Sequence, residues 1–250
     1  MKSVWLIQSE TNIHVGNENT SSVGLIDKAI QKDVLTGIPC INASSLKGAM
    51  NEYATIVKGL TPQERINIFG VDKSNGNSET QKGGCAFFDA SLLLLPIQND
   101  INLYRLVTCK EQLDNFISLA TLLGSSIQYN DLVNSLAKQD SHFNPEKDIL
   151  SSEVFKELCN DDELPIIARN KLDNGKSANL WYEQALPQKT TFGMIVDTGN
   201  LDELFTKAFD KQIIQIGAIN YVKNTLLHYH PDILSVGKSA YRSLLYNCSL

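Results

Sequence analysis

Residues 45–58 constrain this chain most. Leu46, Ala49, Met50, Tyr53, Ala54 and Val57 fall at i, i+3, i+4, i+7, i+8 and i+11, one continuous apolar face. The spacing predicts a helix there, with Ser44 or Ser45 as its N-cap. A helix with one apolar stripe must bury it against another layer. The other apolar segments are β-prone: 3–15, broken by a polar patch and resumed at Ile13 and Val15, then 85–95 ended by Pro96, 104–109, 164–169, 190–196 and 212–217. Further helices are expected at 61–70, where Thr61, Pro62 and Glu64 form a capping-box start, and at 111–124, 201–209 and 221–230. This order of strands and helices suits an α+β chain with a ferredoxin-like (RRM-like) βαββαβ core.

The core is expected to carry insertions. Residues 16–24 are a polar loop bounded by glycines, and 71–84 are poor in apolar residues and rich in turn formers. Residues 130–160 are mixed and helix-prone, and 170–178 are polar and turn-rich. Residues 1–250 are read as one domain, with insertions near 71–84, 130–160 and 164–190.

The net charge of -6 and the pI near 5.2 argue mildly against a generic nucleic-acid binder, although a local basic groove can sit on an acidic chain. No apolar run approaches the length of a membrane span, and the start of the chain lacks a secretory pattern. The five scattered cysteines, with no C-x-x-C, suggest free thiols in a reducing cytosol, hence a cytoplasmic protein. Phosphate-loop, dinucleotide, zinc-protease and nucleophile-elbow motifs do not occur. His228 and His230 are too poorly placed on a helix to share a metal.

Ser44-Ser45-Leu46-Lys47-Gly48 places two hydroxyls, a lysine and a glycine at a helix start. Free backbone N–H groups and the macrodipole favour an anion there. An ordinary capped helix with a solvent lysine explains the same residues. Ile13-His14-Val15-Gly16, Val23-Gly24-Leu25-Ile26-Asp27-Lys28-Ala29-Ile30-Gln31-Lys32 and Thr36-Gly37-Ile38-Pro39 precede it in order. Phe69-Gly70, Gly83-Gly84-Cys85-Ala86-Phe87-Phe88-Asp89-Ala90 and Leu92-Leu93-Leu94-Leu95-Pro96-Ile97 follow, and Leu180-Trp181-Tyr182-Glu183-Gln184-Ala185-Leu186-Pro187 lies further on. Together these segments resemble the RAMP superfamily of CRISPR proteins, and within it the backbone subunit of the type III-B (Cmr) effector complex. They touch most of the first hundred residues and the region 164–196.

The resemblance implies a subunit that stacks with further copies of itself along a CRISPR RNA, beside other Cmr-complex subunits. It implies a β-hairpin thumb near 164–190 that interrupts the guide–target duplex every six nucleotides. Single-stranded target RNA would then be cut at each interruption by Asp27, with a divalent metal, magnesium by expectation, held there. His14 and Glu183 are further catalytic candidates. Lys28, Gln31, Lys32, Ser44, Ser45, Lys47, Gly48, Arg169 and Lys171 are candidates for the RNA groove.

Read without the resemblance, Asp27 is as well a turn or capping aspartate, and His14 a packing histidine. Asp89, on an apolar strand, reads as a structural acceptor. Ala29 and Lys32 depart from the family's Pro and Arg, and Lys32 lacks the bidentate fork of arginine. The sequence Gln215-Ile216-Gly217-Ala218-Ile219-Asn220-Tyr221 carries one glycine where the family has a glycine-rich loop. Two other readings are a non-catalytic RNA-binding subunit of this or a type III-A-like complex, and a stand-alone guide-processing ribonuclease. The Leu180–Pro187 segment argues against the last.

Overall fold

The computed structural model describes residues 2–16, 26–56, 59–71, 80–174, 176–217 and 221–227. It begins with β1 (Lys2–Ser9), buried from Ser3 onward. Side chains alternate across a strand, so Trp5 and Ile7 join one core cluster and Val4 and Leu6 the other. Then come β2 (Cys40–Ile41), α1 (Ala43–Ile56), α2 (Pro62–Phe69), β3 (Gly70–Val71), β4 (Gln81–Lys82), β5 (Ala86–Phe87), β6 (Ala90–Asn99) and β7 (Leu103–Cys109). Next are α3 (Lys110–Leu122), α4 (Tyr129–Gln139), α5 (Pro145–Asp148), β8 (Ile149–Leu150) and α6 (Ser152–Leu158). The chain continues through β9 (Ile166–Asp173), β10 (Lys176–Gln184), β11 (Thr191–Asp197), α7 (Asp202–Phe209), β12 (Ile213–Gln215) and β13 (Tyr221–Leu227).

The result is an α+β architecture around one mixed sheet, ordered β12-β13-β1-β11-β6-β7-β8, with β2 added to β6 and β5 to β11. Its pairs are antiparallel except β7 with β8. α1 and α7 supply Leu46, Met50, Phe205 and Phe209 to the Trp5 cluster. α3 and α4 supply Leu113, Phe116, Leu132 and Leu136 to the Val4 cluster. β6 lies between the two layers: Leu92 and Leu95 pack on one side, Leu93 and Leu94 on the other. A strand covered on both faces reads as an unbroken apolar run. Each such leucine contributes roughly 1.5–3 kcal/mol of burial.

Thr61 and Glu64 form the expected capping box, with Pro62 in the first turn of α2. Three other expectations are corrected. Helix α1 starts at Ala43, so Ser44 and Ser45 lie inside its first turn. The carboxylate of Asp89 meets the start instead, accepting the Ala43 N–H at 2.7 Å. Pro96 does not end its strand: it pairs with Leu106 inside β6–β7, and the Leu106 N–H donates to His142 O, so no ladder bond is lost. Residues 221–227 are a strand, not a helix, because they lie between β1 and β12 and pair with both. That pairing partner is more than two hundred residues away in sequence for β1, and local propensity yields to it.

The 71–84 region is tied at its base by the β3–β4 pair, while 72–79 lie outside the described residues. Among the described residues no helix is long and apolar enough to cross a membrane. Cys40, Cys85, Cys109 and Cys159 are free thiols, and burial pushes Cys159 up to about 12. β9 and β10 form a two-stranded hairpin outside the main sheet, and its strands run through most of the segment expected to be turn-rich.

Candidate functional site

The site forms where residues 26–32 meet the root of the β9–β10 hairpin. The N–H groups of Asp27 and Lys28 both donate to Tyr182 O at 3.1 Å, and Gln184 N–H donates to Lys28 O at 2.9 Å. Asp27 returns the contact: its Oδ2 accepts the Tyr182 N–H at 2.7 Å. Segment 27–30 therefore acts as a third strand on the hairpin root. Asp27 itself is exposed. It is both a carboxylate in solvent and an acceptor for an edge amide of β10.

Glu183 lies beside it. Its carboxylate accepts from Trp181 Nε1 at 2.7 Å, Arg169 Nε at 3.2 Å and Lys28 Nζ at 3.3 Å. The Lys28 ammonium also sits 5.3 Å from the centre of the Trp181 ring, within cation–π range. Burial pushes the Glu183 carboxyl up. The bonds from Trp181 and Lys28, the nearby His14 and the bond from Arg169 outweigh burial and hold it below its ordinary value. His14 bonds Gln184 O through Nδ1 at 2.6 Å. A carbonyl only accepts, so Nδ1 carries a proton. A Cβ at Gly16 would lie 3.1 Å from His14 Nε2. That close approach is a physical reason for glycine two residues after the histidine.

The three expected catalytic residues, Asp27, His14 and Glu183, thus converge on residues 182–184 although they are distant in sequence. Gln184 and Asp161 were not expected. Gln184 is fully buried; its Oε1 accepts Ile30 N–H, and its Nε2 donates to Asp161 Oδ1 at 3.0 Å. The only local signal for it was a glutamine beside Glu183 in an otherwise apolar stretch.

The expected RNA groove divides into two groups. Ser44, Lys47 and Gly48 are exposed on the first turns of α1, and a Cβ at Gly48 would meet nothing within 4 Å. Ser45 is tied down by Gln31, whose buried amide donates to Ser45 Oγ and Gly16 O and accepts the Asn42 N–H. Gln31 therefore fixes α1 to the strand that carries Asp27, about 13 Å along an extended chain from it. An open cleft of about 340 Å³ lies between Val15, Gly16, Ser45, Ala49, Glu52 and Gln215. Lys32 points elsewhere: its ammonium bonds Asp161 Oδ1 at 2.6 Å and Cys159 O at 2.8 Å. Arg169 is engaged by Glu183, and Lys171 is exposed on the hairpin. Residues 17–25, including Val23 and Gly24, and residues 218–220 of the expected glycine-rich loop lie outside the described residues.

A metal at Asp27 fits these residues poorly. Among the described residues no three His, Cys, Asp or Glu side chains gather to hold one. Asp27 already accepts a backbone amide, and Glu183 is matched by two cations.

No family model matches the chain. Over 96 residues it is 29% identical to the CRISPR system Cmr endoribonuclease Cmr4 of Pyrococcus furiosus. That match covers 38% of this chain and 32% of the relative, about a third of the length of that protein. The structural likeness is wider. A chain of the type III-B Cmr-beta complex bound to cognate target RNA superposes with a TM-score of 0.70, covering 90% of this chain and 97% of the other at 19% identity. Oligomeric Cmr4 from Pyrococcus furiosus gives 0.62, covering 91% and 98% at 20% identity. The chain has the fold of Cmr4. In this Cmr4 fold the hairpin and the Asp27 strand are one hydrogen-bonded unit. The start of α1 is joined to that unit through Gln31.

Proposed function

We propose that this chain is a backbone subunit of a type III-B CRISPR effector complex. Copies of it line a CRISPR RNA, together with other Cmr subunits, and cut the paired target RNA beside each hairpin, in the cytoplasm. The convergence of Asp27, His14 and Glu183 at the hairpin root carries this reading. The likeness to Cmr4, named an endoribonuclease, and to a complex bound to target RNA supports it. So does strand order. β1, α1, β6, β11, α7 and β13 follow one another in the chain, and their strands lie in the order β13-β1-β11-β6, which favours a ferredoxin-like core.

A hairpin inserted into a guide–target duplex every six nucleotides would leave a target nucleotide unpaired beside its root. In this reading Asp27 accepts the proton of that nucleotide's 2′-hydroxyl. The 2′-oxygen then attacks the adjacent phosphorus to give a 2′,3′-cyclic phosphate, the bond to the 5′-oxygen breaks, and that oxygen takes a proton from water to leave as a 5′-hydroxyl. Lys28, next to Asp27 in the chain and held by Glu183 and Trp181, would offer a cation for the charge that develops on the phosphate. A divalent cation, magnesium by the resemblance, would have to complete its shell from RNA phosphates and water.

The bond from Tyr182 to Asp27 also favours a second reading, in which Asp27 is a structural cap and the subunit only binds RNA. Cleavage of a guide-matched RNA by the reconstituted complex separates the two, with and without chelator. The side-chain amide oxygen introduced by Asp27→Asn can still accept the Tyr182 N–H but is a poor base. If Asp27→Asn and Asp27→Ala both assemble, bind target and leave it uncut, Asp27 is catalytic. Wild-type cutting by Asp27→Asn makes it a cap.

A further inference from the structure

Gln184 joins the segments that carry Asp27 and His14. It is fully buried, and its backbone and side-chain polar groups all have partners. Its N–H donates to Lys28 O at 2.9 Å, and its Nε2 donates to Asp161 Oδ1 at 3.0 Å. Asp161 is held in turn by the Lys32 ammonium at 2.6 Å. The two acceptors serve different segments. The backbone O takes the His14 Nδ1–H at 2.6 Å, and Oε1 takes the Ile30 N–H at 3.2 Å.

The order of these bonds departs from a regular ladder. Residues 27–30 run parallel to β10: Lys28 is bridged to Glu183, Lys28 N–H donates to Tyr182 O, and Gln184 N–H donates to Lys28 O. Parallel bonds are evenly spaced, so the next rung would run from Ile30 N–H to Gln184 O. His14 occupies that carbonyl, and the glutamine's own amide oxygen receives the Ile30 N–H instead. The segment bearing His14 is fixed separately, by two backbone bonds between Ile13 and Leu186 at 2.9 and 2.8 Å. One side chain keeps the Asp27 strand paired while its carbonyl is released to the histidine. An aliphatic residue has no such acceptor. A buried N–H left without one is costly, so Ile30 would then compete with His14 for the carbonyl.

We infer that Gln184 is a positioning residue for RNA cleavage: its side-chain amide replaces its own carbonyl in the ladder, and the carbonyl holds His14 with a proton on Nδ1. One residue then sets the place of both Asp27 and His14, and makes Nε2 the nitrogen through which His14 titrates. The role in cleavage rests on the function proposed above, whereas the hold on His14 does not.

The test has two arms, each with Gln184→Leu and Gln184→Glu. In the free full chain, nitrogen NMR reads which nitrogen of uncharged His14 carries the proton, with His14→Asn assigning the signals. Wild type should keep it on Nδ1, and Gln184→Leu should lose that form. In the reconstituted complex, single-turnover cutting of a guide-matched RNA by Gln184→Leu should fall about tenfold or more at unchanged target affinity, because a small displacement of a catalytic group suffices. Gln184→Glu keeps an acceptor for Ile30 but sets a second carboxylate against Asp161. Protonation makes it a close copy of the glutamine, with an O–H for Asp161 and a C=O for Ile30. Its cutting rate relative to wild type should therefore rise as pH falls. The ratio cancels the titration of Asp27, His14 and Glu183, which both proteins share. Should Gln184→Leu melt too low to load, the Gln184→Glu ratio decides alone. Weaker melting or target binding with an unchanged rate per bound complex makes Gln184 structural only and overturns the proposal. So does an Nδ1–H form that survives Gln184→Leu, or a Gln184→Glu ratio that is flat with pH. Loss of the Nδ1–H form beside a wild type that leaves its target uncut would sink the function proposed above and the cleavage role with it, so the two failures look different.

Discussion

The Asp27 carboxylate accepts the backbone N–H of Tyr182 at 2.7 Å, and Tyr182 O accepts the N–H groups of Asp27 and Lys28. The candidate catalytic residue and the hairpin therefore cannot move independently at this point. A hairpin held by a guide–target duplex would hold Asp27 with it, and a hairpin that swings away would carry the carboxylate out of position.

This coupling is measurable in the free chain. Removing the acceptor with Asp27→Ala should destabilise the hairpin root by about 1 kcal/mol, the net worth of one hydrogen bond. The Tyr182 amide should exchange faster with solvent, while amides of β1 and β11 keep their protection. Asp27→Asn should restore most of the protection. Equal exchange in all three proteins would show that the bond does not hold the root in solution.

Glu183 should make stability depend on acid. Its folded pKa is depressed and its ordinary value is 4.5. A depressed carboxylate contributes stability that is complete above the ordinary value and is lost as pH falls through the folded one. Denaturant melts of wild type and Glu183→Gln should therefore differ most near neutral pH and converge below about pH 4.5. Comparing the two cancels Asp161 and Asp197, also held below their ordinary value. A difference that stays constant with pH would mean that the Glu183 charge adds nothing to stability.

Gly193 on β11 should tolerate no side chain. A Cβ there would come within 2.6 Å of the Phe116 ring and 2.7 Å of Leu93 Cδ1. Both neighbours are buried, so Gly193→Ala should lose about 1–3 kcal/mol by overpacking. Trimming the ring in Gly193→Ala/Phe116→Leu should recover part of that loss. If the double variant is only the sum of the two single losses, Phe116 is not the group in the way.

Much of this was legible in the sequence because it is local. The α1 stripe, the Thr61–Glu64 capping box and the apolar β6 run follow from residues within one or two turns of each other. Two of the misreadings concern partners far away in sequence. Nothing near Ala43 announces that Asp89 will meet the helix start, and nothing near Tyr221 announces that β1 will pair with its strand. The candidate site divides the same way. Resemblance picked out Asp27, His14 and Glu183 separately, but their meeting depends on the ladder between 27–30 and 182–184, and on buried Gln184, whose partners are Ile30 and Asp161.

The lysines expected to hold RNA should separate into two kinds. Lys47 is exposed near the start of α1, and its ammonium makes no hydrogen bond or ion pair among the described residues. Lys32 bonds Asp161 at 2.6 Å and Cys159 O at 2.8 Å, and the bond to Asp161 is the first cause that holds that carboxyl below its ordinary value. Lys47→Glu should leave melting unchanged within about 0.5 kcal/mol, as exposed substitutions do. It should weaken loading onto every guide RNA alike and lower the salt slope by about one counterion. Lys32→Ala should act through the fold instead. It leaves Asp161 without its cation and loosens the Gln184 contact that steadies the Asp27 strand, so melting should fall while the salt slope of RNA loading changes little. The reverse pattern, with a stable Lys32→Ala protein that has lost one unit of salt slope, would mean that Lys32 leaves Asp161 for RNA phosphate on loading.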